Sequence, residues 1–110
     1  MILRYQIRLT HKAERDADNV LRWFADQHAM TAGTKWLSTL MARLNTLETN
    51  PERCPVAEES AALGLEIREL LLGKRRWVYR LLFQIKERTV HIVRIWHTAR
   101  ETPTADDLAL

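Results

Sequence analysis

The apolar residues of this chain change their period once, and that change limits what it can fold into. Between residues 11 and 50 they recur every three or four positions: Ala13, Ala17, Val20, Leu21 and Phe24, then Trp36, Leu37, Leu40, Met41, Leu44 and Leu47. From residue 65 onward they recur every two, through Leu65–Leu72, Trp77–Ile85 and Val90–His97. The first spacing marks helices buried along one face, and the second marks strands. Helices followed by strands in one short chain imply an α+β domain with the helices packed on a sheet.

Local signals set the boundaries. Leu3, Tyr5, Ile7 and Leu9 share one face of a first strand over Ile2–Leu9, and Thr10 is placed to cap the helix that follows. Glu14, Asp16 and Asp18 sit in its early turns, where the helix dipole favours acid. The helical pattern fades at Gln27-His28, resumes near Thr31 and stops at Asn50-Pro51. Residues 51–64 carry weak signals and read as a loop. Gly73-Lys74-Arg75 and Lys86–Thr89 are turns, so the last three strands form an antiparallel meander. Thr104 and Asp107 have capping-box spacing, which permits a short terminal helix. The expected order is β-α-α-β-β-β, a helical hairpin on a small antiparallel sheet, in a single domain over residues 1–110.

Charge is unevenly placed. Residues 1–64 hold eight basic and eight acidic side chains, whereas residues 65–100 hold nine basic against three acidic, a net of +6. The last ten residues carry −3. A basic half on a neutral domain points to an anionic partner, nucleic acid or an acidic protein. No apolar run approaches the ~20 residues that span a bilayer, and Met1–Tyr5 lacks the features of a signal peptide. A cytoplasmic location with no membrane contact is expected. The one cysteine, Cys54, cannot pair internally and reads as incidental.

Known catalytic signatures are missing. Three glycines leave no phosphate-binding loop, no Gly-x-Ser-x-Gly elbow occurs, and His11, His28, His91 and His97 are too scattered for a metal site. Neither a metal nor a small-molecule cofactor is expected. Arg, His, Glu and backbone groups must carry any chemistry.

Three patterns, taken in order, resemble the RelE/ParE family of small toxins: Ile67-Arg68-Glu69-Leu70, Tyr79-Arg80-Leu81-Leu82-Phe83, and a last strand ending in His97-Thr98-Ala99-Arg100. The Leu9-Thr10 entry into Ala13–Asp16 and the helix-ending Asn50-Pro51 add to the likeness, which covers about residues 2–101. The resemblance implies a toxin of the plasmid-stabilisation type from a type II toxin–antitoxin pair, neutralised by a cognate antitoxin. Two targets follow within the family: messenger RNA cut on the ribosome, or DNA gyrase poisoned without catalysis. The leading expectation is a ribosome-dependent, metal-independent RNA endonuclease (an mRNA interferase), with gyrase inhibition the alternative. A basic binding module, or an inactive toxin that only holds its antitoxin, is the second alternative.

The RNA-cleaving reading assigns roles by resemblance. Arg80 matches the arginine at the cleaved phosphate, Arg100 the arginine beyond the last strand, and Arg68 a basic residue on the first meander strand. The sequence departs from that pattern at Glu66, where a lysine is expected, and at Asp106, about where a tyrosine would fall. His97, whose side-chain type titrates near neutrality, is the acid/base candidate, and Glu66 is a weaker one. Lys74, Arg75 and Arg76 are candidate nucleic-acid contacts. A guanidinium fork suits a phosphate clamp, although Arg80 could equally pair with Glu69 or another acid. Trp77 and Trp96 read as core, with base stacking the alternative, and Trp23 and Trp36 as hairpin packing. The nuclease reading requires Arg68, Arg80, His97 and Arg100 to gather on one concave surface.

Overall fold

A computed structural model gives the structure of residues 4–110, so Ile2 and Leu3 of the expected first strand lie outside the described residues. The elements are β1 (Gln6–Leu9), α1 (His11–Asp26), α2 (Met30–Asn45), α3 (Glu59–Leu63), β2 (Arg68–Leu72), β3 (Tyr79–Lys86), β4 (Thr89–His97) and α4 (Ala105–Leu108). Thr10 caps α1 as expected, with extended backbone and a hydroxyl accepting the Ala13 N–H at 3.2 Å. The same hydroxyl donates to the Ile92 carbonyl at 3.1 Å and so ties the start of α1 to β4. His28, at φ 54°, turns the chain between α1 and α2.

The sheet has the order β1-β4-β3-β2, with β2, β3 and β4 antiparallel as expected. β1 lies parallel to β4, which makes the sheet mixed. The helical hairpin carries the chain from one sheet edge to the other. β1, β2 and β4 therefore run the same way, and β1 completes the sheet beside the last strand.

Both sheet faces are covered. Leu40, Leu44 and Leu47 from the second helical segment meet Leu72, Leu81, Phe83, Val90, Ile92 and Ile95 in the main core. A smaller core on the reverse face joins Leu82, Val93 and Trp96 to Ala57, Ile67 and Leu108. The middle of β3, Leu81-Leu82-Phe83-Gln84, is buried on both faces. Phe83 is fully enclosed, and truncating such a residue typically costs about 3–5 kcal/mol.

The reverse-face cover corrects the reading of residues 51–64 as a plain loop. Pro51–Arg53 form a 3-10 turn, and Glu59–Leu63 form α3, closed by Gly64 at φ 67°. Ser60 locks this segment to the sheet, its hydroxyl donating to the Ile67 carbonyl at 2.9 Å and accepting the Ile67 N–H at 3.0 Å. A five-residue helix is too short to show periodicity, so tertiary contacts hold it. The terminal helix α4 is present with the full capping box, and Leu108 anchors it. Met41 departs from the expected stripe and is exposed.

A β-bulge sets which way the end of β4 faces. Phe83 pairs with Ile92 while Leu82 pairs with Arg94, which leaves Val93 as the extra residue. Alternation from Val90 and Ile92 would otherwise put Arg94 and Trp96 toward the helices. With the bulge, Ile95 joins the main core and Trp96 the reverse one.

Candidate functional site

Arg80 lies on β3 opposite Trp96. Its guanidinium forks onto Glu59 of α3, at 2.7 Å to each carboxylate oxygen, and its Nε donates to Glu69 at 2.8 Å. All three groups are largely buried, with side chains 17%, 11% and 24% exposed for Arg80, Glu59 and Glu69. The Glu59 hydrogen bonds hold the Arg80 proton more tightly than usual, and Arg80 in turn lowers the Glu59 carboxyl. The Glu69 partner was foreseeable on the neighbouring strand. Glu59, in a segment without periodicity, was not.

Arg94 forms a second closed ion pair. β1 ends at Leu9 opposite Ile92, so the outer edge of β4 beyond that point lies open, and α1 runs past it. Asp16 of α1 fills the gap, accepting the Ile95 N–H at 2.9 Å and both Nε and Nη2 of Arg94 at 2.7 and 2.8 Å. Asp107 of α4 takes Nη1 at 3.3 Å. Trp96 lies beneath these groups, with the Arg94 and Arg100 guanidinium carbons 4.9 and 3.8 Å from its ring centroid. Its indole N–H donates to the Glu101 carbonyl at 3.0 Å. Trp96 is therefore core, as expected.

The expected convergence of Arg68, Arg80, His97 and Arg100 is not found. Arg80 and Trp96 are cross-strand partners, so His97, one residue on, faces the other side of the sheet. There its ring sits edge-on to Tyr79 and Trp77, at centroid distances of 5.0 and 6.2 Å. Its Nδ1 accepts the Ala99 N–H at 3.0 Å, which leaves Nε2 to carry the proton of the neutral ring. Arg68 donates to the Glu52 and Cys54 carbonyls at 2.9 and 2.7 Å and to Glu66 at 3.0 Å, stitching the 3-10 turn to β2. Glu66 does share the reach of Arg68, as an ion-pair partner. Arg94 and Arg100 do gather on the Trp96 ring, but carboxylates hold Arg94, and Arg80 is held apart by Glu59 and Glu69.

What the structure leaves open lies on the helix side. A cleft of ≈ 260 Å³ is lined by Asn19, Val20, Trp23, Trp77, Tyr79 and His97, with Asp16 and Arg100 also reaching it. Trp23 and Trp77 are 42% and 55% exposed and touch each other, with ring centroids 5.3 Å apart. Neither is the core residue that its type suggested. Trp23 stands outside the α1 stripe, and Trp77 belongs to the β2–β3 connection, since β3 begins only at Tyr79. The place of Trp23 outside the stripe was the available sequence signal, whereas Trp77 read as the start of the strand. Burial raises the Tyr79 hydroxyl pKa.

The cations of the β2–β3 connection keep their charge free. Among the described residues, ion pairs engage Arg4, Arg68, Arg80 and Arg94, and none engages Lys74, Arg75, Arg76 or Arg100. The basic excess of residues 65–100 is thus cancelled inside the sheet and survives mainly at turns. Lys74, Arg75 and Arg76, all exposed, lead directly into Trp77. Among the described residues no group of three potential metal ligands occurs, and no helix is long and apolar enough to cross a membrane.

Comparisons with known proteins give a family. Curated proteins yield no match to the chain. Among solved structures, a chain described as "Chromosomal ParDE TA system from P. aeruginosa" superposes with a TM-score of 0.65 at 19% identity, covering 84% of this chain and 95% of that one. At that identity the likeness shows the fold. The family model "ParE toxin of type II toxin-antitoxin system, parDE" matches residues 7–102. The chain, an α+β domain with a mixed four-stranded sheet, belongs to the ParE toxin family of type II toxin–antitoxin systems.

Proposed function

We propose that this toxin arrests growth by binding a protein target, DNA gyrase, rather than by cutting messenger RNA. The observation that carries the reading is the engagement of Arg80. A guanidinium already forked onto Glu59 and bonded to Glu69 has no donor edge left for a phosphate. Metal-free cleavage also needs a general acid or base beside that phosphate, and His97 is on the opposite sheet face. Lys74, Arg75, Arg76 and Arg100 remain as surface cations, suited to contacts with a macromolecule and to faster encounter with it. A cognate antitoxin as binding partner and action in the cytoplasm complete the proposal.

The test has two arms on the purified chain. Gyrase supercoiling of relaxed plasmid should be inhibited, and messenger RNA on programmed ribosomes should stay intact. In cells, induction without antitoxin should give an SOS response and filamentation. Cleavage inside codons, abolished by Arg80→Ala, would instead establish the endonuclease. Absence of any arrest would favour a binding module or an inactive toxin.

A further inference from the structure

We infer that the outer edge of β2 pairs with the same edge of a second copy of this chain, in a weak twofold dimer centred on Leu71. β2 is an outer strand of the sheet, and the chain covers only the first part of its open side. Pro55–Ala57 run beside that part, where the Glu69 N–H donates to the Pro55 carbonyl at 3.0 Å and Val56 bridges to Arg68. Beyond Glu69 lies a groove of ≈ 460 Å³, lined by Arg43, Arg53, Pro55, Leu70 and Leu71 among others. In an antiparallel ladder the N–H and C=O of one residue point the same way, and the direction repeats every second residue. Leu71 therefore aims both groups outward, as Glu69 does. Its carbonyl accepts Nη2 of Arg43 at 2.7 Å, whereas its N–H meets no protein acceptor among the described residues. The Leu71 side chain, cross-strand partner of Arg80, is 50% exposed.

Symmetry and length both fit a second copy. Antiparallel pairing about a twofold axis at Leu71 gives each N–H the other copy's carbonyl, once Arg43 has swung away. It also sets two exposed leucines side by side on one face. The open stretch runs from Leu70 to Leu72, and β2 itself ends at Leu72. Gly73 then turns the chain at φ 106°, and a Cβ there would lie 2.0 Å from the Trp77 carbonyl oxygen, so only glycine permits this close return. An incoming β2 thus turns off where Pro55–Ala57 block the way.

Charge selects the same partner. In this register Lys74–Arg76 of one copy come level with residues 66–68 of the other, and Val56–Glu58 run alongside those residues because Val56 bridges to Arg68. Lys74, Arg75, Arg76 and Glu58 are all exposed, and none makes an ion pair among the described residues. Arg68 is already turned onto the Glu52 and Cys54 carbonyls and Glu66. The basic end of each edge therefore meets the acidic end of the other, twice over, whereas parallel pairing would set like ends together. An interface this short falls in the transient class, with a Kd on the order of 100 µM. The inference does not depend on which enzyme the toxin poisons.

Sedimentation equilibrium of the full chain, from about 20 µM to about 1 mM, brackets that affinity, and the average mass should rise from one chain toward two. Leu71→Lys sets like charges opposite each other and should weaken the dimer at least about 10-fold. Arg43→Ala frees the Leu71 carbonyl and should tighten it about 5-fold. Replacing Lys74, Arg75 and Arg76 together by glutamate should weaken it about 10-fold, as should Glu58→Lys, and mixing those two variants should restore a heterodimer. Paired leucines of this kind stand about 5.5 Å apart at Cα, within disulfide reach. Leu71→Cys in a Cys54→Ser background should thus oxidise to a covalent dimer, and Val56→Cys in the same background should not. Circular dichroism checks that each variant is folded. A single-chain mass at every concentration, a dimer indifferent to Leu71→Lys or loosened by Arg43→Ala, no rescue in the mixture, or equal crosslinking through Val56→Cys would each overturn the inference. No outcome is read through gyrase, so failure of one reading is not failure of the other.

Discussion

The two faces of the β3–β4 pair treat charge in opposite ways. On the reverse face, Arg80 and Arg94 are enclosed, each held by two carboxylates from different elements. On the helix face, at the same end of the sheet, Trp23 and Trp77 are exposed, and Lys74, Arg75 and Arg76, which lead into Trp77, make no ion pair among the described residues. An arginine among apolar residues of a central strand must be satisfied internally, because an unpaired buried charge is costly. An arginine at a turn has water and need not be. Position in the sheet, rather than residue type, separates a structural arginine from one free to meet a partner.

Breaking the reverse-face pairs should hurt most. Asp16→Ala leaves Arg94 with Asp107 alone and the Ile95 N–H unpaired, and is expected to cost about 3 kcal/mol of unfolding free energy, measured by urea titration. Recovery of most of that loss in an Asp16→Leu/Arg94→Met double variant would show that the pair positions α1 against β4 more than it stabilises the fold. A loss below about 1 kcal/mol for Asp16→Ala would mean that the site hydrates freely, and the contrast between the faces would weaken.

Arg80→Ala should cost about 2 kcal/mol, since it removes charge-assisted hydrogen bonds to two carboxylates that can partly rehydrate. The toxicity of the variant that does fold should persist; its loss would restore the phosphate-clamp role. The pH dependence sharpens this. Arg80 holds the Glu59 carboxyl below its ordinary value of 4.5, and hydrogen bonds at Thr104 hold Asp107 below 3.8. Both groups are deprotonated more readily in the fold than in the unfolded chain. Their stabilisation is therefore complete above those ordinary values and is lost as the pH falls through the lower folded ones. Arg80→Ala should flatten the Glu59 part of that acid loss, which melting curves taken down from pH 5 would read.

Smaller effects follow where less is enclosed. Thr104→Ala removes the cap of α4 and should cost about 1 kcal/mol, seen as a lowered melting temperature and faster amide exchange at Leu108. Trp77→Ala should change stability least, within about 0.5 kcal/mol, because the residue is already 55% exposed. A large destabilisation there would make Trp77 a packing residue and remove the difference between the faces.

The order of elements, the capped start of α1, the three-stranded meander and the terminal capping box were legible in the residues. Each is a local matter of spacing or of one side chain meeting a backbone group within a few positions. The family patterns around Arg68, Arg80 and His97–Arg100 were legible for the same reason. The cover of the reverse face was not, because α3 is shorter than two helical turns and holds through tertiary contacts, Ser60 to Ile67, Glu59 to Arg80, and Leu63 and the preceding Ala57 against the sheet. Met41 was misread inside a helical stripe and Trp23 as hairpin packing, because apolar character does not reveal what packs opposite.

The sequence alone thus determined the element order, the α+β class and the family, since period, capping and motif order are properties of neighbours along the chain. Tertiary structure decided which arginines keep a free charge and where His97 points. A bulge at Val93 and carboxylates distant in sequence set those outcomes, and electrostatic partnership depends on distance in space.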